Sequence, residues 1–179
     1  VMKNKDFRNS IGCSLVILLL GVLIICSPIL EVTNIEFLYR IFLGVYGIIQ
    51  LGQFLILYKK KDYTNFFAFA ISFGLLIASF MWDLTESPKT LAFSLLVWIA
   101  VIALVKLKKA DYYHDRKSKV WCMEVFYLCT FLVSGILTCL NFAYQTDTQI
   151  LLLGFFIFIS GILETGEAFI LYLTKGKLK

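Results

Sequence analysis

The sequence predicts an all-α membrane protein in which six transmembrane helices form three parallel helical hairpins. Three observations lead to this prediction. Of the 179 residues, 60% are hydrophobic and 16% are charged, whereas an average soluble domain is about 45–50% apolar and about 25% charged. The apolar residues gather in six runs of helical length, and the basic residues fall in alternate gaps between those runs. No gap has room for a separate domain, so we expect one transmembrane domain over residues 1–179.

Six consecutive runs are long enough to cross a bilayer. A helix needs about 20 mainly apolar residues to span a hydrocarbon core of about 30 Å, and helix formation satisfies the backbone polar groups in lipid. The first run follows basic residues, as in a signal peptide, but no small-residue cleavage site follows it, and we expect it to be kept as a helix. In chain order, the predicted spans are Ile11–Leu30, Ile35–Tyr58, Thr64–Trp82, Thr90–Leu107, Val120–Tyr144 and Gln149–Leu173.

The basic residues predict the orientation of these spans. All of them except Arg40 and Lys89 lie before the first span, after the sixth, or around the gaps that follow the second and fourth. Short loops rich in Lys and Arg stay in the cytoplasm, so we expect a cytoplasmic-membrane protein with both termini inside. The net charge of +5 then reports topology and not a nucleic-acid partner. The expected partners are the lipid bilayer and anionic lipid headgroups at the cytoplasmic face.

An internal repeat divides the six spans into hairpins. When the chain is shifted by 114 residues, Gly21 falls on Gly135, Gly47 on Gly161 and Gly52 on Gly166. The middle hairpin matches the first one, more weakly, when the chain is shifted by 53 residues. The predicted hairpins cover about 11–58, 64–107 and 120–173. Because each unit has two spans, every copy enters the membrane in the same orientation, and an axis along the membrane normal relates the copies.

The glycines of the repeat are predicted to be helix-packing residues. Lipid gives helices no hydrophobic drive to associate, so small residues that let backbones approach are favoured at their interfaces. A substrate groove is the alternative interpretation of the same positions. The predicted packing glycines are Gly21, Gly44, Gly47, Gly52, Gly135, Gly161 and Gly166.

The same segments resemble a known family, the HdeD-type acid-resistance membrane proteins, which are built from short hydrophobic repeats. The resemblance lies in the stretches Gly21–Pro28, Gly44–Gly52 and Ser160–Glu164, and it extends over nearly the whole chain. The middle and third repeats depart from it, with Met81 and Phe142 at the position of Pro28. The resemblance implies an inner-membrane protein with six spans, linked in some members to survival at low pH.

Ionisable residues inside a span are costly, so each is a candidate functional group. Glu164 and Glu167 lie on one face of the sixth span, and the repeat places Gln50 and Gln53 at the equivalent positions of the second. Desolvation and a like-charged neighbour favour protonated carboxyl groups, so the pair could take up protons. Alternatively, the carboxyl groups hydrogen-bond to neighbouring polar side chains and hold helices together.

Two more charged residues fall in the spans. Arg40, near the outer end of the second span, is expected to reach the outer face or to pair with Glu36, with an anion site as the alternative. Glu124, near the inner end of the fifth span, is expected to pair with a neighbouring base.

The predicted function is that of a stress-related membrane protein with structural or partner-binding work, as the resemblance implies. The alternative is a small proton-coupled transporter or channel that uses Glu164 and Glu167. An enzyme ranks last, because the sequence shows no His/Cys/acid cluster for a metal and no His within a span to activate a nucleophile. We predict no cofactor. A homo-oligomer or a membrane-protein partner remains open, and His114, the single histidine, is expected to be solvated.

Overall fold

The chain folds into six long helices whose ends follow local signals in the sequence. The computed structural model describes residues 4–32, 34–57, 64–81, 87–115, 120–144 and 148–173. All six helices are long and apolar enough to cross a membrane, and the described part of the chain contains no strand. These findings confirm the predicted class, an all-α protein with six potential transmembrane helices. The helices are α1 (Asn4–Cys26), α2 (Ile35–Leu57), α3 (Thr64–Met81), α4 (Pro88–Asp115), α5 (Val120–Tyr144) and α6 (Gln149–Leu173).

Polar residues cap the starts of α2 and α4. The side chain of Asn34 accepts a hydrogen bond of 3.1 Å from the amide of Phe37, which satisfies one of the free amides at a helix start. Ser87 accepts one of 3.2 Å from the amide of Thr90 in the same way. Pro88 is the first residue of α4, a position where its missing N–H costs nothing. These caps fix where two of the helices begin.

The helix α1 ends at Cys26, four residues before the predicted limit at Leu30. Proline disfavours the helical conformation of the residue before it, and Pro28 follows directly after Ser27. Turns replace the last helical turn, with hydrogen bonds of 3.1 and 3.0 Å from the amides of Leu30 and Val32 to the carbonyl of Ser27. Glu31 has a φ of 59°, a left-handed conformation typical of a tight turn.

The helix α4 continues to Asp115, eight residues beyond the predicted end at Leu107. The added segment, residues 108–115, begins with two lysines and an alanine, which favour a helix, and contains no glycine or proline that would end it. Length and hydropathy alone locate the apolar part of a helix, and they do not detect a polar extension beyond the bilayer. The lysines around the inner end of α4 therefore stand partly on a helix and not only in a loop.

Neighbouring helices form a ring that the first and last helices close. The most extensive interfaces join α1 to α6, α4 to α5 and α2 to α3, whereas α1 and α2 touch only slightly. The three-hairpin repeat remains a prediction, because the extent of these interfaces does not show that the three predicted units have the same structure.

The pairing of α1 and α6 is antiparallel and brings the two ends of the described chain together. Gly21 lies opposite Phe158 and Leu18 lies opposite Gly161. Farther along the pair, the ring of Phe7 stacks on that of Tyr172, with 4.1 Å between centroids. The beginning of α1 and the end of α6 therefore share one end of the bundle, as an even number of spans requires.

Four of the predicted packing glycines lie at close helix contacts. A Cβ at Gly21 would lie 2.5 Å from the backbone nitrogen of Phe158, and one at Gly161 would lie 2.7 Å from the backbone of Leu18. A Cβ at Gly135 would meet Ile99 of α4 at 2.7 Å, and one at Gly166 would meet a tyrosine hydroxyl at 2.8 Å. A larger residue at Gly21 or Gly161 would meet the backbone of the neighbouring helix, whereas one at Gly135 or Gly166 would displace the end of a side chain.

The three glycines of α2 differ from these four. A Cβ at Gly44 or Gly47 would make ordinary contacts, at 3.7 and 3.5 Å, with α3. No described atom lies within 4 Å of the corresponding point at Gly52, so no contact supports the packing role predicted for it. Sequence comparison between repeats missed Gly154, where a Cβ would lie 2.7 Å from Ile25 of α1.

Candidate functional site

A cluster of buried aromatic rings occupies the centre of the bundle. The indole of Trp98 lies 4.9 Å from the ring of Phe42, 5.0 Å from that of Tyr46, and 6.1 Å from those of Phe131 and Phe156. Four helices contribute these side chains, and none of the five is more than 4% exposed. We call these five residues the aromatic core. Edge-to-face pairs at such distances add attraction to the burial of the rings.

A fifth helix joins the aromatic core through a hydrogen bond. The indole nitrogen of Trp98 donates to the hydroxyl of Ser72 on α3, at 2.9 Å, and this hydroxyl donates to the carbonyl of Ala68 at 2.8 Å. A buried indole N–H without a partner would be destabilising. The bond therefore fixes the orientation of the largest side chain in the core.

The carboxyl group of Glu164 lies towards the end of the bundle where Phe7 meets Tyr172, among polar groups of α2 and α4. It interacts with the hydroxyl of Tyr46, which also interacts with the side-chain amide of Gln50. Lys106 and Lys109 are close enough to attract it electrostatically. The structure thus brings together Glu164 and Gln50, as the sequence predicts, and adds Tyr46 of α2 and two lysines of α4, a helix that the sequence did not connect to them.

Glu167 has a different partner from Glu164. Its carboxylate pairs with the ammonium group of Lys109, which joins α6 to α4. Gln53, its equivalent in the repeat, is partly buried, and the described residues offer it no hydrogen bond. The two carboxyl groups of α6 therefore act as separate contacts between helices: one faces α2, and the other faces α4.

Lys106 points into the bundle although the sequence assigned it to the basic inner face. Its ammonium group lies 5.8 Å from the centroid of the Phe131 ring, a distance at which a cation is attracted to the face of an aromatic ring. A long, flexible stem lets this charge reach the aromatic core from a backbone position near the bilayer surface. The sequence did contain a sign of this arrangement, because Lys106 falls within the predicted fourth span and not in the loop after it.

Arg40 lies at the opposite end of α2 from this cluster. Its guanidinium donates a hydrogen bond of 2.9 Å to the carbonyl of Ser79, near the end of α3, and lies 4.6 Å from the ring centroid of Phe80. The carboxylate of Glu36, one turn earlier, is 4.0 Å away. These contacts tie α2 to the end of α3 at the predicted outer face. The structure therefore does not join Arg40 to the other predicted polar residues.

Glu124 is buried near the start of α5. It is 2% exposed, and its atom Oε1 is covered but receives no hydrogen bond from any described residue. The basic residues within 116–119 lie outside the described part of the chain, so the pairing with a neighbouring base stays a prediction. One turn later, the hydroxyl of Tyr127 fills the space beside Gly166 of α6, so α5 and α6 approach closely here.

One correction concerns the expectation that the sequence holds no His/acid cluster. At the end of α4, ligand atoms of Asp111, His114 and Asp115 lie within 4.8 Å of one another, and all three side chains are exposed. The sequence analysis missed that these residues are three and four positions apart, a spacing that places their side chains on one face of a helix. Exposed acidic groups often meet in this way without an ion. His114 also meets the ring of Trp121 edge-on, at 5.2 Å.

Comparisons with protein-family models, with curated proteins and with solved structures find no match for this chain. The resemblance to HdeD-type proteins therefore remains a prediction from the sequence. The structural basis for a functional proposal is the aromatic core at mid-bundle together with the cluster of charged groups on one side of it.

Proposed function

We propose that this chain is a multi-pass protein of the cytoplasmic membrane that serves in acid or envelope stress through structural or partner-binding work. One observation carries the choice of this class over transport: the aromatic core fills the centre of the bundle. Four buried rings from α2, α5 and α6 surround Trp98 of α4, and close packing of these rings argues against a water-filled path between them. A transporter site is more often built from broken helices around a polar cavity.

Contacts between equivalent positions support the repeat as part of this proposal. Phe42, Leu95 and Phe156 occupy equivalent positions of the predicted repeat, at shifts of 53 and 114 residues. All three side chains are at most 1% exposed. The larger shift also relates Gln50 to Glu164, and both interact with Tyr46. Each odd-numbered helix packs most extensively on an even-numbered helix of another hairpin. This is the pattern that three units around a central axis would produce.

The charge distribution supports a cytoplasmic position for both ends and contact with anionic lipid. Arg8 and Lys108 are exposed, and they lie at the end of the bundle where Phe7 meets Tyr172. Most of the other basic residues on which the orientation depends, among them residues 59–61, 116–119 and 174–179, lie outside the described part of the chain. Lysines near the headgroups of an anionic leaflet each add about 1 kcal/mol of attraction.

Two measurements test the proposed class. In a strain that lacks this protein, we expect survival at low pH to fall and to return when the wild-type chain is supplied. In liposomes that contain a pH-sensitive dye, we expect the purified protein to pass no more protons than empty liposomes do. Full survival of the deletion strain under both acid and envelope stress would refute the stress role.

The transporter alternative predicts a different result in liposomes. It predicts a proton flux that the substitution Glu164→Gln abolishes and that Glu31→Gln, in the exposed turn after α1, leaves unchanged. Observing this pair of results would replace the structural proposal by transport. The polar groups around Glu164 are the reason for choosing this variant.

A further inference from the structure

The polar end of α4 carries three potential metal ligands that the proposed function does not use. Ligand atoms of Asp111, His114 and Asp115 lie within 4.8 Å of one another, and all three side chains are exposed. They stand on the part of α4 beyond Leu107, where its apolar run ends. Water and dissolved ions can therefore reach them.

The histidine separates this cluster from a group of acidic side chains alone. Oxygen ligands alone suit the hard cations Mg²⁺ and Ca²⁺. One imidazole nitrogen beside two carboxylate oxygens suits Zn²⁺ and related transition-metal ions instead. His114 is the single histidine of the chain, and it stands where two aspartates share its helix face.

The position at a helix end gives an independent electrostatic reason for a cation. The helix α4 ends at Asp115, and the last carbonyls of a helix lack intrahelical partners and carry partial negative charge. This end favours cations and disfavours acidic side chains. Two carboxylates beside these carbonyls thus concentrate negative charge that a bound cation would neutralise. Three bases within residues 116–119 follow in the chain, outside its described part, and they compete for the same carboxylates.

The ring of Trp121 on α5 restricts the nitrogen ligand. The imidazole of His114 meets this indole edge-on, with 5.2 Å between centroids and 89° between the ring planes. A ligand whose side chain is already held loses less freedom when it binds an ion. Because Trp121 belongs to α5, the cluster also lies where the end of α4 meets the start of the next helix.

We propose that Asp111, His114 and Asp115 bind a divalent transition-metal ion, with Zn²⁺ as the representative of the class, at the inner end of α4. Each residue supplies one ligand atom, and the exposed side of the site leaves the remaining coordination positions to water. The bound ion ties the last turn of α4 to the turn before it and holds the imidazole beside Trp121. This site does not depend on the proposed stress function.

Equilibrium binding of Zn²⁺ to the purified full-length chain tests the proposal. The chain carries no polyhistidine tag and its cysteines are alkylated, so His114 is the one imidazole on offer. It keeps the bases of residues 116–119, and the ion must bind in competition with them. We expect one Zn²⁺ per chain, and we expect His114→Ala to weaken binding by about 10-fold or more. A wild-type chain that binds no Zn²⁺, or equal affinities of the two chains, would overturn the proposal.

The carboxylate ligands are tested with a matched control. Asp111→Asn and Asp115→Asn should each weaken Zn²⁺ binding, whereas Glu31→Gln, which changes an exposed carboxylate in the turn after α1, should not. Because all four side chains are exposed, these variants are expected to fold, and circular dichroism checks this. If the two aspartate variants bind as tightly as Glu31→Gln, the proposed ligand set is wrong.

Two further measurements test the class of ion and its place. An excess of Mg²⁺ should leave the bound Zn²⁺ in place, and displacement would show that carboxylates alone hold the ion, against the proposal. Co²⁺, which quenches nearby indole fluorescence, should quench the wild-type chain more than Trp121→Phe. Equal quenching would place the ion away from Trp121 and refute the site.

Discussion

Replacement of Gly21 by alanine tests the closest contact between helices. The ideal Cβ at this position would lie 2.5 Å from the backbone nitrogen of Phe158, and ordinary contacts begin at 3.4 Å, so α1 and α6 must separate by 0.9 Å. The obstructing atoms belong to a helix backbone, which cannot rotate away as a side chain can. Overpacking of this kind costs about 1–3 kcal/mol.

Gly74→Ala is a matched control for this variant. Gly74 also lies within a helix, but no described atom comes within 4 Å of its added Cβ. Alanine improves helix propensity by about 1 kcal/mol over glycine, so the control should be neutral or slightly stabilised. Any loss of stability in Gly21→Ala beyond the control is then due to packing.

Thermal unfolding of the purified protein in detergent, followed by circular dichroism, measures the difference. For a chain of this size, a loss of 1 kcal/mol lowers Tm by about 2–4 °C, so we expect Gly21→Ala to melt about 2–12 °C below Gly74→Ala. Equal melting temperatures, or a higher one for Gly21→Ala, would show that α1 and α6 do not meet at this point.

Three further predictions concern the aromatic core, an ion pair and the orientation of the chain. Trp98→Phe should lower the free energy of unfolding by about 1–3 kcal/mol, because the indole hydrogen bond to α3 is lost and its acceptor stays buried. Denaturation in detergent measures this free energy, and an unchanged value would contradict the prediction. Lys109→Met should destabilise the protein more than the double variant Lys109→Met/Glu167→Leu does, since the single change leaves a carboxylate that is only 13% exposed without its partner; additive losses would argue against the pair. In a variant without the five native cysteines, a cysteine introduced at Glu31 should react with a membrane-impermeant thiol reagent added outside. A cysteine introduced at Lys60 should react with this reagent only from inside. Labelling of both positions from the same side would overturn the predicted topology.

The helices could be predicted because the bilayer restricts what an apolar run can do. Once a run of about 20 apolar residues is present, helix is the state that satisfies its backbone, and α5 and α6 begin and end at the predicted residues. The errors at α1 and α4 occur where other forces act. Pro28 ends α1 within its apolar run, and helix-forming polar residues carry α4 beyond its apolar run to Asp115.

The candidate site was predicted only in part because residue spacing locates side chains on one helix and not between helices. The sequence placed Glu164 and Glu167 on one face of α6, but their different partners, Tyr46 and Lys109, depend on how α2 and α4 pack around that helix. Charge counting assigned the lysines of α4 to a basic surface. Charge counting could not show that Lys106 turns towards the ring of Phe131, because the direction of a long side chain is set by the residues around it.

The predicted repeat gives a physical reason for the charges to differ between units. The shifts of 53 and 114 take Gln53 to Lys106 and Glu167, so one position is an amide, a base and an acid in the three copies. Three identical charges facing one axis would repel one another in a medium of low dielectric constant. An acid and a base in different copies attract each other instead, as Glu167 of the third unit pairs with Lys109, which lies one turn after Lys106 in the second. Such charges also distinguish copies whose apolar surfaces are alike. Charges of this kind favour one order of helices around the ring over its alternatives, a role in specificity that polar core residues fulfil in some helical assemblies.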